Sequence, residues 1–410
     1  MTDNNRNVLT ALLDMGTALM KNGSEINRVE DTIVRVAHAM GCTNVNVFAI
    51  SSNIILTASM RDGETETMTR RITDGSVTNY RALESLNELS RNFCMSPTGP
   101  MELIGEIKKI TGLGLSKLKS YIGSAVVGAS GALFFGGSVM DAAVAAVLGL
   151  FMCFVQRSTM KIIKNNIVFN FLISFVIGLM IALLSNIVPN LSIGHVFTGD
   201  LMILIPGLAI TVSLLDVMLG DTVSGLMRAV DSLLSAAVLA LGYALAMRLL
   251  NAESSTLEIG GQTAVVSIIA SLMMPLGFAL ILQLSMRHLI ITSVTGMIGW
   301  ITFLICSGLG MPDFYAAMLA SMALAIISEV AARIHKAPAV FFRSPAVTPL
   351  VPGKLLFGIM ESLNIHKWSL LGTYLVSTLE WTLGIAFGLC AVNLFVKIIM
   401  AVRFDRRKAK

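Results

Sequence analysis

The residues best suited to do chemistry in this chain stand at two proline-glycine pairs inside apolar segments. Pro206-Gly207 and Pro352-Gly353 are 146 residues apart. Proline lacks a backbone donor and glycine loosens a helix, so we expect each segment to unwind there. Unwound backbone at membrane depth is stable only where protein or a water-filled cavity satisfies its polar groups. Matched interruptions in two halves of a chain therefore predict a transport site.

Two basic residues near these pairs are candidates for the substrate pathway. Lys354 directly follows the second pair, and Arg228 lies about twenty residues after the first. A lysine beside unwound backbone can meet a substrate carboxylate, and arginine offers a planar fork of donors for the same group. The alternatives are a lysine that extends towards the membrane surface or pairs with a helix end, and an arginine that is an ordinary boundary charge.

Four carboxylates are candidates for proton coupling, because a carboxyl group in a poorly hydrated cavity can bind and release a proton. They are Asp216, Asp231, Glu361 and Glu380. Arg228 and Asp231 are three residues apart, so we expect them to share a helix face. The alternative for Asp216 is an ion pair with Arg228 near the cytoplasmic surface. The alternative for Glu380 is a buried structural pair or a hydrogen bond between helices.

The composition is that of a mostly α-helical polytopic membrane protein. Of 410 residues, 55% are hydrophobic and 13% charged, and the mean hydropathy is +0.77; a soluble protein carries roughly 25% charged residues. The net charge of +5 does not indicate nucleic-acid binding, because no basic cluster is interleaved with aromatic residues. We predict about ten spans, near residues 119–136, 140–156, 167–188, 201–219, 223–249, 263–285, 288–308, 313–333, 345–362 and 368–400.

The loop charges predict that both termini lie in the cytoplasm, because basic residues concentrate on the inner side of a membrane. The loops assigned to the inside and the tail carry Arg157, Lys161, Lys164, Arg228, Arg287, Arg333, Lys336, Arg343, Arg403, Arg406, Arg407, Lys408 and Lys410. We predict one five-helix unit at 118–250, a second at 262–402 and a basic tail at 403–410. An odd number of spans per unit would insert the second unit upside down, as in inverted-repeat transporters.

Residues 1–117 differ in character and predict a small cytoplasmic α+β domain of order α-α-β-β-β-α-α. Apolar residues recur at helical spacing from Val8 to Met20, and Ser24 is positioned to cap a second helix. Residues 44–50, 53–58 and 66–72 are typical of strands, and two more helices follow near 77–93 and 101–110.

The second helix of this domain is rich in charge. Glu25, Arg28 and Glu30 can bind a ligand or act as an acid/base pair, or they can form a solvated face. The sequence has no nucleophile elbow and no phosphate-binding loop, and its five cysteines are isolated, so no catalytic residue, metal site or cofactor is expected.

Three stretches resemble the threonine/serine exporter family. One is the segment 22–32 with Gly23, Glu25, Arg28 and Glu30. The second runs from Pro206-Gly207 to Arg228. The third is Pro349-Leu350-Val351-Pro352-Gly353, which resembles the marker of the family's second, smaller unit. The resemblance covers nearly the whole chain, with both units fused.

The resemblance implies an inner-membrane exporter of threonine or serine driven by the proton gradient. Relatives with separate units imply a dicarboxylate such as succinate as the alternative substrate. The expected partners are this small molecule, protons and the lipid bilayer, and a homo-oligomer is compatible with the sequence. The alternatives from other classes are a membrane-anchored hydrolase and a metabolite sensor that uses the N-terminal domain.

Overall fold

A computed structural model describes residues 3–72, 78–159, 163, 165–204, 207–218, 220–252, 263–364 and 367–408. By internal contacts the chain divides into two compact units. The first comprises Met1–Lys117 and Leu282–Ser285, and the second comprises Leu118–Ile281 and Met286–Lys410. The first unit therefore takes in a short segment from far along the chain.

The first unit has an α+β fold, and the predicted order of its helices and strands is confirmed. Its described elements are α1 (Asp3–Lys21), α2 (Ile26–Ala39), β1 (Thr43–Ile50), β2 (Asn53–Ser59), β3 (Thr65–Arg71), α3 (Tyr80–Met95) and α4 (Pro100–Thr111). The strands form an antiparallel sheet in the order β1-β2-β3. Ile54 and Leu56 of the central strand are fully buried, so one face of the sheet packs into the core of the unit.

The start of α2 corrects one detail of the sequence interpretation. Glu25, not Ser24, occupies the N-cap position, and its side chain makes no capping hydrogen bond. The hydroxyl of Ser24 instead donates to the carbonyl oxygen of Glu25 at 3.4 Å. The helix is fixed by its apolar face, on which Val29, Ile33 and Val36 are fully buried.

The segment Leu282–Ser285 is joined to the first unit by three hydrogen bonds. The backbone N–H of Tyr80 donates to the Leu282 carbonyl at 2.9 Å. The Ser285 hydroxyl donates to Oε2 of Glu84 at 2.6 Å, and the Ser116 N–H donates to Oε1 of Gln283 at 3.0 Å. The predicted span 263–285 is therefore too long, and its helix ends at Ile281.

The second unit consists of helices. They are α5 (Lys117–Phe134), α6 (Val139–Thr159), α7 (Asn166–Ser185), α8 (Ile193–Leu204), α9 (Gly207–Met218), α10 (Thr222–Leu249), α11 (Ala264–Ile281), α12 (Met286–Gly308), α13 (Asp313–His335), α14 (Val340–Ala346), a 3-10 turn (Thr348–Leu350), α15 (Gly353–Asn364) and α16 (Trp368–Lys408).

Seven of the described helices are long and apolar enough to cross a membrane, and nine spans result if each of two bent helix pairs counts as one. The bent pairs are α8 with α9, and α14 and its 3-10 turn with α15. Helix α5 occupies the first predicted span but is not among the nine. It begins with Lys117 and Lys119 and is rich in glycine and serine, which lowers its mean hydropathy.

The contacts between helices repeat from the first half of this unit to the second. Helix α7 packs along α10 as α13 packs along α16, and α6 contacts α8 as α12 contacts α14. The two halves also exchange their interrupted helices, because α9 contacts α16 and α15 contacts α10. The unit is therefore built from two similar halves, each of which packs one helix into the other.

Two glycines give this repeat a register. Gly242 of α10 lies against the backbone of Phe171 and Phe175 in α7, and Gly388 of α16 lies against Met318 and Ser321 in α13. A side chain at either position would collide with the partner helix. The two glycines are 146 residues apart, which is also the spacing of Gly207 and Gly353.

Candidate functional site

Both predicted interruptions fall where one described helix ends and the next described helix begins. Helix α8 ends at Leu204 and α9 begins at Gly207, and the segments Ile193–Leu204 and Ala209–Met218 are inclined to one another by 46°. Pro206 lies outside the described residues. The second interruption separates Leu350 from α15, which begins at Gly353 after a bend of 50°. Each half therefore contributes one bent helix pair whose second member begins with glycine.

The backbone conformation at the second interruption is determined by Pro352. Val351, which precedes the proline, has an extended backbone with φ −63° and ψ 130°, because proline disfavours a helical residue before it. The carbonyl of Leu350 accepts a hydrogen bond from the indole N–H of Trp381 in α16 at 2.7 Å. A side chain from a neighbouring helix thus satisfies backbone that the interruption frees.

The second interruption packs against the helix that precedes the first. A methyl group on Gly353 would lie 2.8 Å from Sδ of Met202 in α8 and 2.9 Å from Cζ of Phe135. Phe357 and Met360 of α15 belong to the apolar core of the first half, together with Phe197 and Tyr243. Leu215 of α9 belongs to the core of the second half. The interrupted helices are thus at the centre of the helical unit.

Lys354 is half-buried at the start of α15 and interacts electrostatically with His195 of α8. His195 interacts in the same way with Asp141 at the start of α6. Neither ring nitrogen of His195 has a hydrogen-bond partner among the described residues. A basic residue at an interruption therefore lies near a histidine that can donate or accept a hydrogen bond.

Arg228 and Asp216 form an ion pair in which Nη1 lies 2.9 Å from Oδ2. The pair joins α9 to α10, and the two side chains are 31% and 15% exposed. Of the alternatives that the sequence left open for Asp216, the ion pair with Arg228 is the one found. Although Asp231 is three residues after Arg228, the acidic partner of Arg228 in this pair is Asp216.

Two of the predicted coupling carboxylates do not lie in the interior. Asp231 on α10 and Glu380 on α16 are both exposed at the surface of the helical unit. Their positions within long apolar helices suggested burial, but depth along a helix does not determine which way a side chain points. Glu361 is buried on α15, two turns after Lys354.

The signature residues of the first unit have structural partners. Gly23 adopts a left-handed φ of +94°, and a methyl group there would lie 2.7 Å from Cγ2 of Thr78. Glu25 and Arg28 form an exposed pair at 3.9 Å. Oε1 of Glu30 accepts the backbone N–H of Ala49 at 2.8 Å, on edge strand β1. These residues hold α2 to the sheet and the turn before it.

Sequence reasoning missed three polar residues of the interior: Asp200 and Arg343 are buried, and His195 is half-buried with both ring nitrogens enclosed. Asp200 and His195 lie in α8, which begins before the predicted span 201–219 and so includes them. Arg343, assigned to an inside loop, is buried in α14, and its Nη1 donates to Oδ1 of Asn393 at 3.0 Å. The available signal was the rarity of such groups in apolar sequence. No group of histidine, cysteine or acidic residues within the described ranges is arranged to hold a metal.

The predominance of apolar helices, two of them interrupted at the centre, defines a multi-pass membrane protein. The family described as "Putative threonine/serine exporter" matches residues 10–250, and the family described as "Threonine/Serine exporter, ThrE" matches residues 267–395. The chain belongs to the threonine/serine exporter family, whose members are membrane transporters. The predicted fusion of two units in one chain is confirmed. No curated protein and no solved structure matches the chain.

Proposed function

We propose that this protein exports threonine or serine across the cytoplasmic membrane through the region where its interrupted helices meet, and that the proton gradient drives export. The observation that carries the proposal is the packing of Gly353, at the second interruption, against Met202, shortly before the first. Inverted-repeat transporters place their substrate sites where such interruptions meet.

The interruptions supply suitable chemistry for an amino-acid carboxylate. Helix α15 begins at the second interruption, and the first turn of a helix has N–H groups without an intrahelical partner and a positive dipole end. Lys354 adds a positive charge in the first turn of α15. Threonine, serine and succinate all carry a carboxylate, so these features favour the class of substrate and leave the choice within it to experiment.

In the proposed topology the protein lies in the inner membrane, and both of its termini are in the cytoplasm. It is supported by the excess of lysine and arginine in the loops and tail on that side. With α5 counted as a tenth span, each half has five. The repeated helix contacts support two related units, and an odd number of spans in each favours opposite orientations.

The test is a transport assay in proteoliposomes. Vesicles that contain the purified protein are loaded with labelled threonine, serine or succinate, and a pH gradient is imposed with and without a protonophore. We expect the gradient to accelerate efflux of threonine or serine and the protonophore to abolish the acceleration. Faster efflux of succinate alone would identify a dicarboxylate exporter instead. No gradient-dependent efflux of any of the three would contradict the proposal.

A further inference from the structure

Asp200 is a buried carboxyl group for which the described structure offers no hydrogen-bond partner. It lies on α8, two residues before Met202, and only 1% of its surface is exposed. Both carboxyl oxygens lack a partner among the described residues. Buried acidic groups normally have partners, and ionisable groups within membrane helices are rare because an unpaired charge there is costly.

The surroundings of Asp200 are closely packed. A methyl group on Gly128 of α5 would lie 2.7 Å from Oδ1 of Asp200 and 2.6 Å from the carbonyl oxygen of Ala145 in α6. The preceding residue, Gly199, contacts the α5 backbone at Gly128 and Ala132. The carboxyl group is therefore enclosed where α5, α6 and α8 meet, at the closest approach of their backbones.

The charged groups nearest along α8 are occupied with one another. The carboxylate of Asp141, on α6, accepts the backbone N–H groups of Ser138 at 2.7 Å and Ser192 at 2.9 Å. His195, five residues before Asp200, interacts with Asp141 and with Lys354 of α15. These groups lie around the first turn of α8.

The other helices that pack against α8 carry the remaining ionisable groups around Asp200. Helix α7 contains no ionisable side chain. Lys117, Lys119 and Tyr121 on α5 and Cys153 and Arg157 on α6 lie at least seven residues along from the contacts at Gly128 and Ala145. On α10, Arg228 pairs with Asp216, the Tyr243 ring contacts Phe197, and Asp231 and Arg248 are exposed. Glu361 is buried on α15, one turn after Phe357, whose ring contacts Phe197 of α8.

We propose that Asp200 is the group that carries the coupling proton, an inference that rests on the proton-driven export proposed above. While α8 is packed on α5 and α6, the carboxyl group is uncharged. When α8 separates from these helices, water enters, the O–H bond of the acid breaks, and the proton leaves to the cytoplasm. The carboxylate is then protonated from the outer side, which allows the helices to pack again. Proton transfer is thereby coupled to helix separation, so that neither occurs without the other.

The test compares Asp200→Asn with Asp313→Asn in proteoliposomes. Asparagine has the size of the neutral acid but cannot release a proton, and Asp313 is an exposed residue at the start of α13. We expect Asp200→Asn to lose acceleration of efflux by a pH gradient while it retains exchange of labelled for unlabelled substrate across the membrane. Exchange requires no net proton movement. We expect Asp313→Asn to behave as the wild type in both assays.

Gradient-driven efflux by Asp200→Asn at the wild-type rate would overturn the assignment and leave the proposed function intact. A folded Asp200→Asn protein that has lost exchange as well as driven efflux would also overturn it, because Asp200 would then act in substrate binding. If the wild type shows no gradient-dependent efflux, the proposed function itself fails.

A second measurement uses the wild-type protein and so does not depend on how the variant folds. Dicyclohexylcarbodiimide, an apolar reagent, modifies protonated carboxyl groups within membranes. The reagent can reach the protonated acid only during turnover, after Asp200 is re-protonated and before the helices pack again. We therefore expect mass spectrometry to find Asp200 modified in protein that is transporting substrate, with slower modification as the pH rises and parallel loss of driven efflux. Loss of driven efflux with modification only at other carboxyl groups would contradict the proposal.

Discussion

At the scale of single residues, the ion pair between Asp216 and Arg228 connects two helices next to the first interruption. The pair joins α9, which follows the first interruption, to the start of α10. Because both side chains are partly buried, the loss of one partner leaves the charge of the other less well solvated than it would be in water. The pair therefore contributes to the position of α9.

We predict that Arg228→Met and Asp216→Asn each lower the thermal stability of the detergent-solubilised protein, and that the double variant is more stable than the sum of the two losses indicates. The coupling energy should be about 0.5–3 kcal/mol, the usual range for groups in contact. Thermal unfolding of the wild type, both single variants and the double variant measures it. Strictly additive losses would show that the pair contributes nothing.

The cysteines of the first unit provide a test of its burial pattern. Burial raises the pKa of the Cys42 thiol, whose Sγ lies 3.9 Å from Sδ of Met60. Cys94 is exposed, although partial desolvation raises its pKa as well. The thiolate is the reactive form, so alkylation of either thiol accelerates as the pH rises.

We predict that iodoacetamide at mildly alkaline pH modifies Cys94 in the folded protein and Cys42 only after unfolding. Peptide mass spectrometry of the full-length protein follows both sites in one sample. Equal rates at Cys94 and Cys42 before denaturation would contradict the burial of Cys42.

At the scale of elements, the second interruption is maintained by Pro352, the extended Val351 and the hydrogen bond from Trp381 to the Leu350 carbonyl. An unbroken helix would direct that carbonyl to a backbone N–H four residues later. Helix continuity and the Trp381 contact therefore compete for the same acceptor.

We predict that Pro352→Ala combined with Gly353→Ala reduces substrate efflux to background while expression is retained, because the helix can then continue and α15 loses its close approach to Met202. Gly372→Ala is the matched control, since a methyl group there meets no atom within 4 Å. Unchanged efflux in the double variant would show that the interruption has no role in transport.

The two helix-crossing glycines make a separate prediction. Gly242→Ala and Gly388→Ala should each destabilise the protein by about 1–3 kcal/mol, because the added methyl group forces two packed helices apart. Gly372→Ala should be neutral or stabilise by up to about 1 kcal/mol, through the higher helix propensity of alanine. Thermal unfolding of the three variants in one detergent gives the comparison, and equal effects at all three sites would contradict the proposed crossing contacts.

At the scale of the whole molecule, each half of the helical unit depends on the other. Helix α15 contributes Phe357 and Met360 to the core of the first half, and α9 contributes Leu215 to the core of the second. The segment Leu282–Ser285 also belongs to the first unit, although it lies in the second region that matches the exporter family.

We predict that fragments 1–258 and 259–410, produced together in one cell, purify as a complex and restore efflux, whereas each fragment alone is degraded. The division lies between the two family-matched regions. A tag on one fragment and an antibody against the other detect the complex. A chain divided after Ala240, within α10, is the control and should not assemble. Independent stability of either fragment would contradict the interlocked packing.

The sequence by itself determined the element types and the interruptions, because these follow from local chemistry. Apolar runs of membrane length, alternating strand residues and proline-glycine pairs act on the backbone within a few residues. The three strands of the first unit and the break at Pro352 could therefore be predicted. The family motifs in both halves likewise needed only local sequence.

Only the tertiary structure decided which polar groups meet, because the direction of a side chain depends on how a helix is rotated against its neighbours. That rotation turns Asp231 and Glu380 outward, joins Asp216 to Arg228, and encloses Asp200 between α5 and α6. Sequence spacing places a charge at a depth along its helix. Packing against distant parts of the chain determines whether that charge faces lipid, a partner or the interior.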